Sequence, residues 1–156
     1  MTARNKFLFG GLLIILVTLT TMGLLDFFST KYNGSGQFVS EQQFKNNTTK
    51  QMQMTPQTME QLRKINVTAD MELKLEYFFY TNTADKAELF ATELEKLQYT
   101  VQHGPSAGDK KLFIVTGWTT KMKMADSIVA DWTKQMCELG YKFDCDFDGW
   151  GTSPDQ

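Results

Sequence analysis

The sequence predicts an α+β fold in which a four-stranded antiparallel sheet and two helices are preceded by a single transmembrane helix and a linker. Three observations predict it. Residues 7–25 carry no charge, residues 26–70 are polar without an apolar period, and from residue 71 strand-like and helix-like periodicities alternate. At 156 residues, the chain has room for one such domain and its extensions.

The N-terminus predicts a membrane anchor. Residues 1–6 are basic through Arg4 and Lys6, and the uncharged run at 7–25 would span about 28 Å as a helix at ~1.5 Å per residue, close to the hydrocarbon thickness of a bilayer. The basic flank places the N-terminus in the cytoplasm and the domain outside. A signal peptide that is cleaved to release the domain is one alternative, although no small-x-small site follows the run. Because the charge difference is small, a cytoplasmic domain is another.

Residues 26–70 read as a flexible tether. Gly34-Ser35-Gly36 and a Gln-, Asn- and Thr-rich run lack any apolar period. Within the tether, Thr55 as a cap and Pro56 at the first helical position predict a short helix over residues 56–65.

The globular domain is predicted over residues 71–153. The first strand alternates buried and polar positions, and the first helix follows a cap within Thr81-Asn82-Thr83. Short strands are predicted at residues 99–102 and 111–119, a second helix at 126–140 and a last strand at 141–148. This β-α-β-β-α-β order is the ferredoxin-like arrangement, in which both helices cover one sheet face and leave the other open.

Acidic side chains are predicted to line that open face. Strict alternation in residues 141–148 puts Asp144, Asp146 and Asp148 on one side of the last strand. Because the first and last strands commonly lie side by side in this topology, Glu72 and Glu76 are expected to join them. We interpret this row as a surface for a basic protein partner, with Trp150 as an aromatic anchor at its edge.

Two other interpretations of the row compete. A solvated acidic strand face needs no partner. A calcium loop is suggested by Asp144-x-Asp146-x-Asp148-Gly149, but the preceding residues alternate as a strand and the twelfth residue is Asp155 rather than Glu.

Composition argues against several function classes. Residues 1–70 hold seven Lys/Arg and four Asp/Glu, whereas residues 71–156 hold nine and fourteen, so the domain is acidic and a poor match for nucleic acid. Beyond the aspartate row, the sequence contains no catalytic constellation, metal-ligand pattern or cofactor motif, and we predict no enzyme activity and no cofactor. Cys137 and Cys145 could form a disulfide in an oxidising compartment, or could remain two buried free thiols.

Several sequence blocks resemble one known family. The run Met136-Cys137-Glu138-Leu139-Gly140-Tyr141, followed by residues 144–152, is similar to the closing signature of the family named for the regulator of ribonuclease E activity B. Residues 75–81 and 115–119 resemble its first and third strands. The resemblance covers residues 71–153 and implies a ferredoxin-like, non-catalytic regulator that binds and inhibits an endoribonuclease.

The predicted anchor sets the chain apart from that family, because a domain outside the cytoplasm could not meet a cytoplasmic ribonuclease. The sequence therefore predicts a membrane-anchored protein-binding module. An accessory subunit of a membrane complex, in which the transmembrane helix makes the main contact, is the alternative.

Overall fold

A computed structural model describes residues 36–154. Three helices and six strands follow in the order α1 (Glu41–Lys64), β1 (Glu72–Leu73), β2 (Glu76–Thr81), α2 (Ala84–Lys96), β3 (Thr100–Pro105), β4 (Phe113–Trp118), β5 (Met122–Lys123), α3 (Asp126–Lys142) and β6 (Asp146–Gly151). The mixed helix-and-sheet class predicted from the sequence is confirmed.

The larger sheet has four antiparallel strands in the order β3-β4-β2-β6. Its strands and the helices α2 and α3 follow one another as β-α-β-β-α-β, and the first and last of these strands pair directly, as predicted. The two-residue strands β1 and β5 form a separate ladder. The predicted first strand is therefore two strands, although its alternating burial is as expected.

The core lies between this sheet and the helices α2 and α3. Tyr77 and Phe79 of β2, Phe147 of β6 and Phe90 of α2 are fully buried or nearly so. The Phe79 ring lies 4.6 Å from Phe90 and 4.8 Å from Phe147, measured between centroids. Burying each such side chain contributes about 1.5–3 kcal/mol. This apolar contact fixes which face of the sheet the helices cover.

The predicted tether is wrong over much of its length, because α1 spans 24 residues and begins at Glu41. Ser40 caps it: its side chain accepts a hydrogen bond from the Gln43 amide, and the Gln43 side chain accepts one from the Ser40 amide. Pro56 lies inside the helix rather than at its start. The packing of α1 against α3 and β6 offsets the hydrogen bond that proline removes.

Polar side chains dock α1 onto the edge of β6. Asn47 Nδ2 donates to the carbonyl oxygen of Phe147 at 2.7 Å, and Gln51 Nε2 donates to the same oxygen at 3.1 Å. Thr55 lies one helical turn further on, where its hydroxyl accepts from Trp150 Nε1 at 3.2 Å. An edge strand presents unpaired carbonyl and N–H groups, and amide side chains satisfy them. The buried stripe of α1 is therefore partly polar, which is why it lacks an apolar period.

The last strand also differs from its prediction. Helix α3 continues to Lys142, and β6 begins only at Asp146, so Tyr141 is helical and stacks on Phe44 of α1 at 4.4 Å between centroids. Gly140 permits the close approach here, since a Cβ atom at this position would lie 2.7 Å from the Cys145 carbonyl oxygen. The turn between α3 and β6 places Asp144 at a φ of 58°.

The predicted membrane anchor at residues 7–25 lies outside the described residues, and so do residues 26–35 of the predicted linker. Within residues 36–154, no helix combines the length and the apolar character needed to cross a bilayer.

Candidate partner-binding surface

One face of the four-stranded sheet is not covered by α2 or α3. Alternation along the strands and the pairing register place twelve residues on this open face, in three rows that each run from β3 through β4 and β2 to β6. The rows are Thr100-Trp118-Glu76-Gly151, Gln102-Thr116-Phe78-Gly149 and Gly104-Ile114-Tyr80-Asp146.

The centre of the open face is apolar. Phe78 on β2 and Ile114 and Trp118 on β4 are half-buried, each surrounded by its neighbours on the sheet. Thr116 between them donates its hydroxyl to the Tyr77 carbonyl oxygen at 2.7 Å, so its polar atom is already satisfied. Large apolar side chains that are only half covered are typical of a surface that binds another protein.

Carboxyl groups border this centre on its β6 side and at one end. Glu76 and Asp146 belong to the open face, and Asp148 is the extra residue of a bulge between them. Burial raises the pKa of all three carboxyl groups, and that of Asp146 reaches about 7. Asp148 has an exposed side chain, yet the protein around it removes enough water to raise its pKa, and its charge raises the pKa of Tyr80.

The four strands of this sheet contain no Lys or Arg. Lys50, which lies on α1, is near enough to oppose the rise in the pKa of Asp146 and Asp148 without reversing it. The open face therefore combines an apolar centre with an acidic border on its β6 side.

Two glycines of β6 belong to the open face, Gly149 beside Phe78 and Gly151 beside Glu76. Gly149 has a φ of 138°, which side chains disfavour, and a Cβ atom at Gly151 would meet nothing within 4 Å. A Cβ atom at Gly149 would lie 3.6 Å from Oε1 of Gln51 on α1, so the open space is at Gly151, beside Glu76.

Asp144 does not belong to this surface, which corrects the prediction of a three-aspartate row. Its carboxylate accepts hydrogen bonds from the backbone N–H groups of Phe38 (2.8 Å) and Val39 (2.7 Å) and from Lys86 Nζ (2.5 Å). These three donors hold the pKa of Asp144 below its usual value although burial acts in the opposite direction. We call this arrangement the Asp144 clasp, and it fixes the segment before α1 to the domain.

Glu72 and Trp150 also lie elsewhere. Glu72 pairs with Lys123 in the small ladder, apart from the larger sheet. The Trp150 indole is directed toward the helices, where it contacts Trp132 edge-on at 6.4 Å between centroids and donates to Thr55. Of the residues predicted for partner binding, Glu76, Asp146 and Asp148 lie on or beside the open face, with Glu76 at the opposite end of β2 from Asp146.

The residues of the apolar centre were not among those predicted for partner binding. Alternation in residues 76–80 and 114–118 indicates that Phe78, Ile114 and Trp118 lie on the sheet face opposite to the buried residues of their strands. That signal was available, but a hydrophobic residue on a strand is more often part of the core.

Cys137 and Cys145 are both buried free thiols, so the disulfide is not formed. Burial raises the pKa of each to about 12, and the Cys145 Sγ donates weakly to the Phe143 carbonyl oxygen. Of the aspartates that suggested a calcium loop, Asp144 is bound to Lys86, and within the described part of the chain no three His, Cys, Asp or Glu side chains form a group able to hold a metal ion.

Comparison with known proteins adds the family. No curated protein shows a significant match. The family model described as "Regulator of ribonuclease activity B" matches residues 52–152. The match begins at residue 52, inside α1, whereas the resemblance seen in the sequence begins at residue 71. The second half of this helix is therefore within the family domain. It also covers every strand of the sheet and its open face. The chain belongs to the regulator of ribonuclease activity B family.

Proposed function

We propose that this protein is a non-catalytic regulatory module of ferredoxin-like fold that binds a basic protein partner on the open face of its sheet and is tethered to a membrane by residues 7–25. The observation that carries the proposal is the open face itself. Phe78, Ile114 and Trp118 form an apolar centre, with Asp146 and Asp148 on its β6 side and Glu76 at one end.

The electrostatics of the sheet support a basic protein over nucleic acid. A nucleic-acid surface on this fold needs Lys or Arg near its exposed aromatics, and the four strands contain none. Fields of opposite sign speed encounter and orient the partners.

A regulatory role is supported by the family and by the form of the site. The family description names regulation of a ribonuclease. The open face is a broad surface, whereas catalysis needs a concave site with converging polar groups. The buried thiols have strongly raised pKa values and are poor nucleophiles.

The test compares partner capture by the full-length protein and by the double variant Phe78→Ser/Trp118→Ser. The expected result is loss of captured proteins whose binding is sensitive to salt, because the apolar centre is removed. Leu89→Ser is the matched control, since Leu89 is a large hydrophobic residue on α2 that is 63% exposed. Unchanged capture by a folded double variant would contradict the proposal.

The tether needs a separate test. A reporter active only outside the cytoplasm, fused after Gln156, is expected to be active because Arg4 and Lys6 flank the uncharged run. A silent reporter together with an active cytoplasmic one would overturn the proposed topology. It would also make a cytoplasmic ribonuclease the first partner to examine.

A further inference from the structure

The apolar centre of the open face has the dimensions of one helix. Neighbouring strands lie about 4.8 Å apart, so β2 and β4 with their side chains offer a strip about 10 Å wide, similar to the diameter of an α-helix. Each of these strands has six residues, which gives the strip a length of about 20 Å, or between three and four helical turns.

Charge is distributed unequally on the two sides of this strip. Asp146 and Asp148 lie on the β6 side, and Glu76 lies at one end of the strip. The β3 side carries Thr100, Gln102 and Gly104, which are uncharged. A ligand that complements both features is apolar along one stripe and basic along one flank.

The surroundings favour a helix over an added strand. The β6 edge next to the carboxylates is already occupied by Asn47 and Gln51 of α1, so no strand can pair there. The same sheet carries two helices on its opposite face, and a helix packed on a sheet is a stable layer arrangement. Gly151, where a Cβ atom would meet nothing within 4 Å, leaves space for a long basic side chain next to Glu76 at the end of the strip.

From these observations we infer that the open face binds a basic amphipathic helix of a protein partner, which lies along β2 and β4 with its basic flank toward β6. This inference rests on the proposed function and specifies what the partner presents. In the complex the sheet becomes the middle layer between the helices of this protein and the helix of its partner.

The experiment is a fluorescence-anisotropy titration of the full-length protein with labelled peptides of about 18 residues, long enough to cover the strip as a helix. The first peptide has leucines at i, i+3, i+4 and i+7 spacing and arginines on one flank. The second has the same composition in an order that destroys the apolar stripe. The third carries glutamate in place of every arginine.

The first peptide is expected to bind at least about tenfold more tightly than the second, because only a helix with an apolar stripe covers the centre. The third is expected not to bind. Phe78→Ser is expected to abolish the preference for the first peptide over the second. Asp148→Asn, at an exposed residue of the bulge, is expected to weaken binding of the first peptide and to reduce its salt dependence.

Equal binding of the first two peptides would overturn the inference, as would binding that Phe78→Ser leaves unchanged or the absence of binding by all three. Self-association of the protein that Phe78→Ser abolishes would assign the face to a second copy and would also overturn it. If any of these results is obtained and partner capture still depends on Trp118, the proposed function stands. Only the inference that the ligand is a helix is then rejected.

Discussion

Two different interfaces hold the strand pair β2 and β6. One faces the helices α2 and α3, and the other lies at the outer edge of β6. Toward α2 and α3, Phe79 packs on Phe90 and Phe147 packs on Trp132 in an apolar core. At the outer edge of β6, α1 binds through Asn47 and Gln51, whose amides donate to the Phe147 carbonyl oxygen. The first interface is built from apolar area and the second from directional hydrogen bonds. They should respond differently to substitution.

The largest effect is expected in the apolar core. Phe147→Ala should lower the free energy of unfolding by about 3–5 kcal/mol, since it removes a buried ring and leaves a cavity beside Phe79 and Trp132. Chemical denaturation of the full-length protein measures this loss. Leu89→Ala is the control, because its exposed side chain contributes little. A loss below that of Asn47→Ala would reverse the ranking of the two interfaces.

The Asp144 clasp comes next. Asp144→Asn removes the ion pair with Lys86 and weakens the bonds from Phe38 and Val39, and hydrogen bonds to charged groups contribute about 1.5–3 kcal/mol each before solvent screening. The pKa of Asp144 is lowered in the folded state. The stabilisation is therefore present above the usual pKa of 3.8 and is lost as the pH falls through the pKa of the folded state. Denaturation at pH 7 and pH 3 checks both statements. A variant that is equally destabilised at both values would contradict them.

A smaller effect is expected at the polar edge. Asn47→Ala should cost about 1–3 kcal/mol, because the Phe147 carbonyl oxygen loses one of its two donors and Asp146 loses its amide partner. Hydrogen exchange should accelerate in α1 more than in α2. Gln53→Ala, at an exposed position of the same helix, is the control. Equal acceleration in both helices would show that α1 is not a separately docked element.

The last effect concerns the pH dependence contributed by Asp146. Its pKa is raised to about 7 chiefly by burial, so the folded state favours the protonated acid. Stability from this group is therefore fully present below pH 3.8 and decreases as the pH rises toward 7. The difference in unfolding free energy between wild type and Asp146→Asn should change over this interval in that direction. A difference that is constant with pH would show that the carboxyl group titrates normally.

Much of the domain could be predicted from periodicity. The strand through Tyr77 and Phe79, the cap at Thr83 and the stripe of α2 depend on apolar side chains, whose spacing is visible in the sequence. Helix α1 could not be found in this way. Its buried residues include Asn47, Gln51 and Thr55, and their burial depends on a sheet edge that is about one hundred residues away along the chain.

The candidate site was predicted in part for a related reason. Glu76, Asp146 and Asp148 share a surface, as alternation indicated, but Asp144 and Tyr141 lie before the strand because α3 continues to Lys142. The helix and strand periods overlap in residues 141–145, where Phe143 packs against the core from a turn. Only the packing of α3 on β2, which requires the close approach at Gly140, decides between them.

The central claim is that the open face, and not the helical side, contacts a protein partner. The most direct measurement is photo-cross-linking in cells from a photoreactive amino acid placed at Trp118 or, for comparison, at the exposed Leu89 on α2. The account predicts a covalent adduct to another protein from position 118 and none from position 89. Adducts from position 89 alone, or equally from both positions, would contradict it.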